Sequence, residues 1–239
     1  MRYSRFYTDQ NISVDKPLCI TGPRAHYMRN VLRLSRGDKL CLFNGSGGEF
    51  DAIINNLSKH EVLLDVLSFN DINRQSTVYI ELGLALIKRD AMDTAIQKAT
   101  ELGVSKIQPL LCHNSTISTK GVEKRLAHWQ EVSINACEQC GLNMPPEILT
   151  PVETTQWFDN DADLKLLAAP NSNTSLDELE SNPKHISIAI GPEGGFNSDE
   201  IQCANKHGFV EIFLGTRILR ADTAVISMMA LAQSHWGDM

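Results

Sequence analysis

The sequence predicts an α/β protein in two unequal parts: a small β-barrel over residues 1–72, then an α/β domain with a mainly parallel sheet over residues 73–239. Three observations point there. Up to about residue 70 the β-prone runs are short and the turns rich in glycine. Beyond it the hydrophobic period changes, and strand-like and helix-like stretches alternate. The length of 239 residues, 42% hydrophobic and 21% charged, suits one large domain or two unequal ones.

In the first part, residues 18–20, 39–43, 50–54 and 62–67 read as strands. Asn44-Gly45-Ser46-Gly47-Gly48 joins two of them as a hairpin turn, because Asn and Gly tolerate positive φ. A helix over residues 23–34 interrupts the strands, with Pro23 at a first helical position where its missing N–H costs nothing. Its apolar stripe is Met28, Val31 and Leu32; His26, Arg29, Asn30 and Arg33 share the opposite face. Residues 70–76 are polar and patternless, as a linker is.

In the second part, strands are expected at 78–87, 106–112, 164–168, 185–190 and 211–214. Helices are expected at 91–102, 122–141, 198–207 and 223–236. Gly103 marks the end of the first of these helices. Asn197 with Glu200 forms a capping box at the start of the third. The last helix, from Ala224 to Ala232, has hardly any polar face and must be buried on most sides, in the core or at a subunit interface.

Composition narrows the function. The opening lacks the apolar stretch of a signal peptide, and no run approaches the roughly 18 apolar residues that span a bilayer, so a cytoplasmic protein without membrane association is expected. Of six cysteines only Cys137 and Cys140 form a CxxC, with no second ligand pair; two packed thiols and no metal are expected. Net charge is −7, yet residues 1–40 carry eight Lys/Arg against three acids, a local +5 that leaves −12 for the rest. Such asymmetry suits a basic surface for phosphates on an acidic body.

Two strand-to-helix loops concentrate the chemistry. Ile190-Gly191-Pro192-Glu193-Gly194-Gly195-Phe196 is neither a P-loop nor a dinucleotide fingerprint, but glycines beyond a parallel strand allow close backbone approach to a ligand. Leu214-Gly215-Thr216-Arg217-Ile218-Leu219-Arg220-Ala221-Asp222-Thr223-Ala224 gathers two arginines, an acid and hydroxyls, with Asp222 read as a helix N-cap or as a site carboxylate. A third cluster, Asn135-Ala136-Cys137-Glu138-Gln139, lies in the 122–141 helix, where a solvated face is the plain reading.

These motifs, together with His26…Val31-Leu32-Arg33 and Gln97-Lys98-Ala99-Thr100-Glu101-Leu102-Gly103-Val104, resemble the ribosomal RNA small-subunit methyltransferase E family nearly end to end. The resemblance implies a SPOUT methyltransferase domain, an α/β sheet closed by a trefoil knot, preceded by a PUA-like β-barrel. It implies methyl transfer from S-adenosylmethionine to N3 of one uridine in small-subunit (16S) rRNA by a homodimer, with the rRNA either naked or within the 30S subunit. Carried over by position, Gly191, Glu193, Gly194 and Gly195 form one wall of the cofactor site. Leu214, Gly215, Ile218, Leu219 and Thr223, with the strand end at Leu167 and Ala168, form the rest. Arg220 sits nearest the transferred methyl. Two departures are Asp222, where the family usually has Glu, and Leu142, where it often has Arg; the second removes a candidate RNA contact.

Uracil N3 is a poor nucleophile until its proton leaves, so the site must stabilise the anion or accept the proton. Arg220 is expected to stabilise the anion, with Asp222 or Glu138 orienting the base or taking the proton. Arg2, Arg5, His26, Arg29 and Arg33 are expected to contact RNA phosphates. Two alternatives stay open: a SPOUT methyltransferase with a different RNA target, and a non-catalytic rRNA-binding assembly factor.

Overall fold

The structure, a computed structural model, describes residues 3–115, 121–179 and 181–239. By contact the chain divides into two units: Met1–Gln75 with Cys137–Pro145, and Ser76–Ala136 with Pro146–Met239.

In the first unit, β1 (Ser4–Tyr7), β2 (Pro17–Thr21), β3 (Lys39–Phe43), β4 (Glu49–Leu57) and β5 (Glu61–Asn70) form one sheet in the order β1-β3-β4-β5-β2. Only the β1–β3 pair is parallel. Register shifts at Asp51/Ala52 and Ile54/Asn56 mark bulges that bend β4 and curl the sheet. The curl encloses Phe6, Leu40, Leu42, Ile54 and Leu64, all at most 1% exposed. The turn between β3 and β4 uses positive φ at Gly45, Gly47 and Gly48, the conformation its sequence predicts. Short β1 gave no sequence signal, because its strand character comes from pairing with β3, far along the chain.

The helix α1 (Gly22–Asn30) is shorter than the expected 23–34. Val31 is its C-cap, Leu34 N–H bonds back to the Met28 carbonyl, and Arg33 turns left-handed at φ 54°. The expected apolar stripe therefore breaks: Met28 is fully buried, whereas Val31 is 60% exposed. Arg33, expected on the helix face, projects from the turn after it.

Segment 137–145, which the sequence assigns to the second domain, supplies Cys137 and Leu142 to a small cluster with Phe43. Burial pushes the Cys137 thiol up, away from redox or metal chemistry. Beside it, Arg5 donates to Glu49 Oε2 at 2.7 Å and to the Leu142 carbonyl at 3.2 Å. Arg74 grips the same Glu49 with two bonds of 2.9 Å. The Arg74 and Arg5 guanidiniums outweigh burial and hold the Glu49 carboxyl down at about 2.

The second unit is built on an all-parallel sheet in the order β12-β10-β11-β6-β7-β8, with β9 also on β7. Its strands are β6 (Tyr79–Ala85), β7 (Lys106–Leu111), β8 (Glu147–Ile148), β9 (Val152–Glu153), β10 (Leu164–Ala168), β11 (His185–Ile190) and β12 (Val210–Ile212). The middle strands β6 and β11 are almost continuously buried, as parallel strands covered on both faces are. The expected strands at 78–87 and 211–214 are thus trimmed at their ends, where pairing stops.

The helices are α2 (Arg89–Glu101), α3 (Val122–Cys140, whose last turn counts with the first unit), α4 (Thr154–Trp157), α5 (Ser198–Lys206) and α6 (Ala221–Trp236). Helix α6 packs on α2, burying Val225, Met228, Met229 and Ala232. Its buried Gln233 donates to the Leu102 carbonyl at 2.8 Å and accepts from Ser76 at 2.8 Å.

Gly83, inside β6, leaves the space that the Trp157 ring fills; a Cβ there would overlap the ring. The indole cannot easily swing aside, since its Nε1 donates to Glu81 at 2.6 Å. Gly83→Ala is expected to destabilise the protein by about 1–3 kcal/mol through overpacking. A lowered urea midpoint at unchanged slope is the expected result; an unmoved midpoint would show that the ring relocates without cost.

Candidate active site

A parallel sheet aims the carboxyl ends of all its strands at one edge, and connecting loops there enclose ligands. At that edge of β10, β11 and β12 lies a cavity of about 340 Å³, inside the usual range for small-molecule sites. Three loops wall it: the one after β10, the glycine-rich one after β11, and the one after β12, closed by Ala221 and Ala224 of α6. Small side chains on the first turn of α6 keep that wall open.

The loop after β11 is held from several directions. Gly195, at φ 68°, donates to the Pro192 carbonyl at 2.9 Å and closes a turn. Asn114 donates to the Gly194 and Gly195 carbonyls at 3.2 and 3.0 Å. The capping box at α5 is present, with Asn197 and Glu200 exchanging bonds of 2.8 Å. The other oxygen of Glu200 accepts from the His113 N–H at 2.9 Å, tying α5 to the end of β7. Sequence reading finds the box but not Asn114 or His113, because both partners come from another strand's loop.

Ten residues singled out from the sequence line this cavity: Leu167, Ala168, Gly191, Glu193, Gly194, Gly195, Leu214, Gly215, Ile218 and Leu219. Ile218 is 88% exposed at its rim. Thr223 does not line it. Neither does Arg220, which is exposed and occupies the N-cap of α6, whereas Arg217 does. Asp222 is not the N-cap; it lies in the first turn, its Oδ1 accepting from the Thr223 N–H at 2.9 Å.

Glu138 lies in the first unit, outside the cavity lining. Its carboxylate accepts from Arg24 at 2.6 Å and from the Tyr7 N–H at 2.9 Å, so it ends as an anchor for β1 rather than a solvated helical face.

The cavity's walls are largely apolar side chains and backbone, with no lysine and no phosphate-cradling loop. They suit a ligand with a flat heterocycle and a polar tail recognised by backbone groups.

The cations expected on RNA divide. His26 is exposed, Arg29 is half-buried with Nη1 3.5 Å from the Ser58 carbonyl, and Arg33 is exposed. Arg2 lies outside the described residues. Arg5 needs correction: it is 9% exposed, and its guanidinium is spent on Glu49 and Leu142, so it cannot present charge to a phosphate. Among the described residues no cluster of three or more His, Cys, Asp or Glu is placed to hold a metal, and no helix is long and apolar enough to cross a membrane.

Comparison with known proteins bears on this geometry. Residues 74–233 match a family model described as an RNA methyltransferase domain, and residues 20–67 one described as an RNA methyltransferase PUA domain. The chain is 32% identical to the ribosomal RNA small subunit methyltransferase E of Buchnera aphidicola (from Schizaphis graminum), covering all of this chain and 98% of that one. It is 33% identical to that of Rickettsia conorii, covering 96% and 95%. A crystal structure of a ribosomal RNA small subunit methyltransferase E from Neisseria gonorrhoeae bound to S-adenosyl methionine superposes with a TM-score of 0.94, at 33% identity and 99% coverage of both chains.

Proposed function

Since the chain belongs to the ribosomal RNA small subunit methyltransferase E family, we propose that it transfers a methyl group from S-adenosylmethionine to N3 of a uridine in 16S rRNA, acting as a cytoplasmic homodimer on the 30S subunit. The observation that carries this reading is the cavity of about 340 Å³ where the three loops meet.

Those residues fit the cofactor. A Cβ on Gly191 would crowd Phe196 at 3.2 Å and one on Gly194 would crowd Asn114 at 3.1 Å, so glycine lets this loop pack tightly as a wall of the site. Leu214, Ile218 and Leu219 offer apolar surface to an adenine ring, and Thr223 lies on α6 between the wall residues Ala221 and Ala224. Bound there, the cofactor supplies an electrophilic sulfonium methyl.

The chain's own residues have two tasks. The loops must hold N3 in line with the methyl. Arg220, the residue before Ala221 of the wall, stabilises the uracil anion, and Asp222 two residues on orients the base or takes its proton. Glu138, already committed to Arg24, is the weaker candidate for that proton. The PUA-like unit contributes His26, Arg29 and Arg33 as phosphate contacts.

The return of β12 to the far side of β10, followed by α6 against α2, supports a trefoil-knotted path. The apolar Leu231 of α6, 40% exposed, supports the homodimer.

The test is methyl transfer from labelled S-adenosylmethionine to small ribosomal subunits lacking the modification, with nucleosides identified by mass spectrometry. N3-methyluridine is expected. A different methylated nucleoside would mean another target; cofactor binding without any transfer would mean a non-catalytic assembly factor.

A further inference from the structure

A second cavity, of about 350 Å³, opens elsewhere on the methyltransferase unit. Its floor is apolar: Ile87, Met92 and Trp129 are each at most 3% exposed. Its rim carries the cations Arg89, Lys124 and Arg125, with His128 beside them. Among the described residues no acidic side chain lines it. Asp93 is engaged with His128 Nε2 at 2.7 Å. Asp90 and Glu123 stand in the first turns of α2 and α3 without reaching the lining.

Three properties make this more than a surface dent. Arg89 and Lys124 are exposed and make no side-chain hydrogen bond or ion pair among the described residues, so their charge is available. The Arg125 guanidinium lies 5.9 Å from the Trp129 ring centroid, bringing a cation and an aromatic to the same wall. In a chain of net charge −7, a concave site with Arg89, Lys124 and Arg125 on its rim is not background.

Its place in the sheet links it to the methyl-transfer site. Ile87 follows β6, whose Leu84 pairs with Ile190 of β11, so both cavities open at the carboxyl edge of adjacent strands. Ser115 Oγ donates to the Leu86 carbonyl at 3.3 Å, and neighbouring Asn114 holds Gly194 and Gly195. Residues 114 and 115 after β7 thus bond to the turn at Gly194 and Gly195 and to Leu86, the residue before Ile87.

We infer that a phosphodiester of the RNA substrate docks at this second cavity, on Arg89 and Lys124. Two exposed cations on a concave rim suit a phosphodiester, and the buried floor of Ile87, Met92 and Trp129 packs together the two helices that carry them. That the ligand is RNA rests on the proposed rRNA methyltransferase activity; the cavity and its charge do not.

The full-length double variant Arg89→Gln/Lys124→Gln separates the two. Binding of a small-subunit rRNA fragment is expected to weaken roughly five- to tenfold, and the slope of log K against log salt to shrink by about 0.7 to 1.4, one or two phosphate contacts. KM for RNA rises, while the thermal midpoint and S-adenosylmethionine affinity report an intact fold. If wild type methylates RNA but the variant keeps the same affinity and slope, this inference is wrong and the activity stands. If the variant instead changes from dimer to monomer, the cavity belongs to a subunit interface and the inference is equally overturned. Failure of wild type to bind rRNA would remove the functional reading itself, and the RNA identity of this ligand with it.

Discussion

Replacing Arg220 by alanine is expected to lower kcat by about 10²–10³-fold, the usual loss when one preorganised donor to a developing anion is removed. Cofactor affinity should stay near wild type, because Arg220 is outside the cavity lining. Arg217 is the control. It lines the cavity three residues earlier, so Arg217→Ala is expected to act chiefly on cofactor binding. Single-turnover methyl transfer with isothermal titration of the cofactor separates the two. Near-wild-type turnover in Arg220→Ala would end its assignment to the anion and shift attention to Arg217.

The second large effect concerns stability. Glu49 is 7% exposed and neutralises two guanidiniums, one of which, on Arg5, is itself buried. Glu49→Ala would leave the Arg5 charge buried without its partner, at an expected cost of about 3–5 kcal/mol. Urea unfolding monitored on the first unit should show it as a lowered midpoint. The pH dependence has a definite sign. With the folded carboxyl held at about 2 and the unfolded one at its ordinary 4.5, this contribution is complete above the unfolded value. It is lost as pH falls from there through the folded value. Glu49→Gln should therefore lose stability at neutral pH yet show a flatter acid limb between those values. An unchanged acid limb would mean the carboxyl titrates normally. Arg5→Met, in turn, should leave the salt slope of RNA binding unaltered, whereas Arg29→Ala/Arg33→Ala should flatten it.

Arg5 shows where reading a sequence stops. It sits among eight early cations, and local charge alone groups it with them. Its burial depends on Glu49, 44 residues on, and on the Leu142 carbonyl, 137 residues on. Neither separation has a periodic signature. The same holds for Glu138, whose helical position looked solvated until Arg24 and the Tyr7 N–H closed on it. Short β1 and the early end of α1 at Asn30 were also invisible, since pairing and a left-handed Arg33 decide them.

What the sequence determined by itself was local and periodic. The alternation of strands and helices, the Asn44–Gly48 turn, the Asn197/Glu200 cap and the two loops that wall the cavity all follow from side-chain spacing and glycine placement within a few residues. Motif order was enough to identify the family. Only the tertiary structure decided which charges remain free to meet a ligand. It buried Arg5, committed Glu138, placed Arg217 rather than Arg220 on the cavity wall, and left Arg89 and Lys124 around an apolar floor. The physical reason is that a charge is consumed or released by whichever opposite charge or carbonyl the fold brings within about 3 Å. That proximity is a property of the packed chain, set by strands paired across scores of residues.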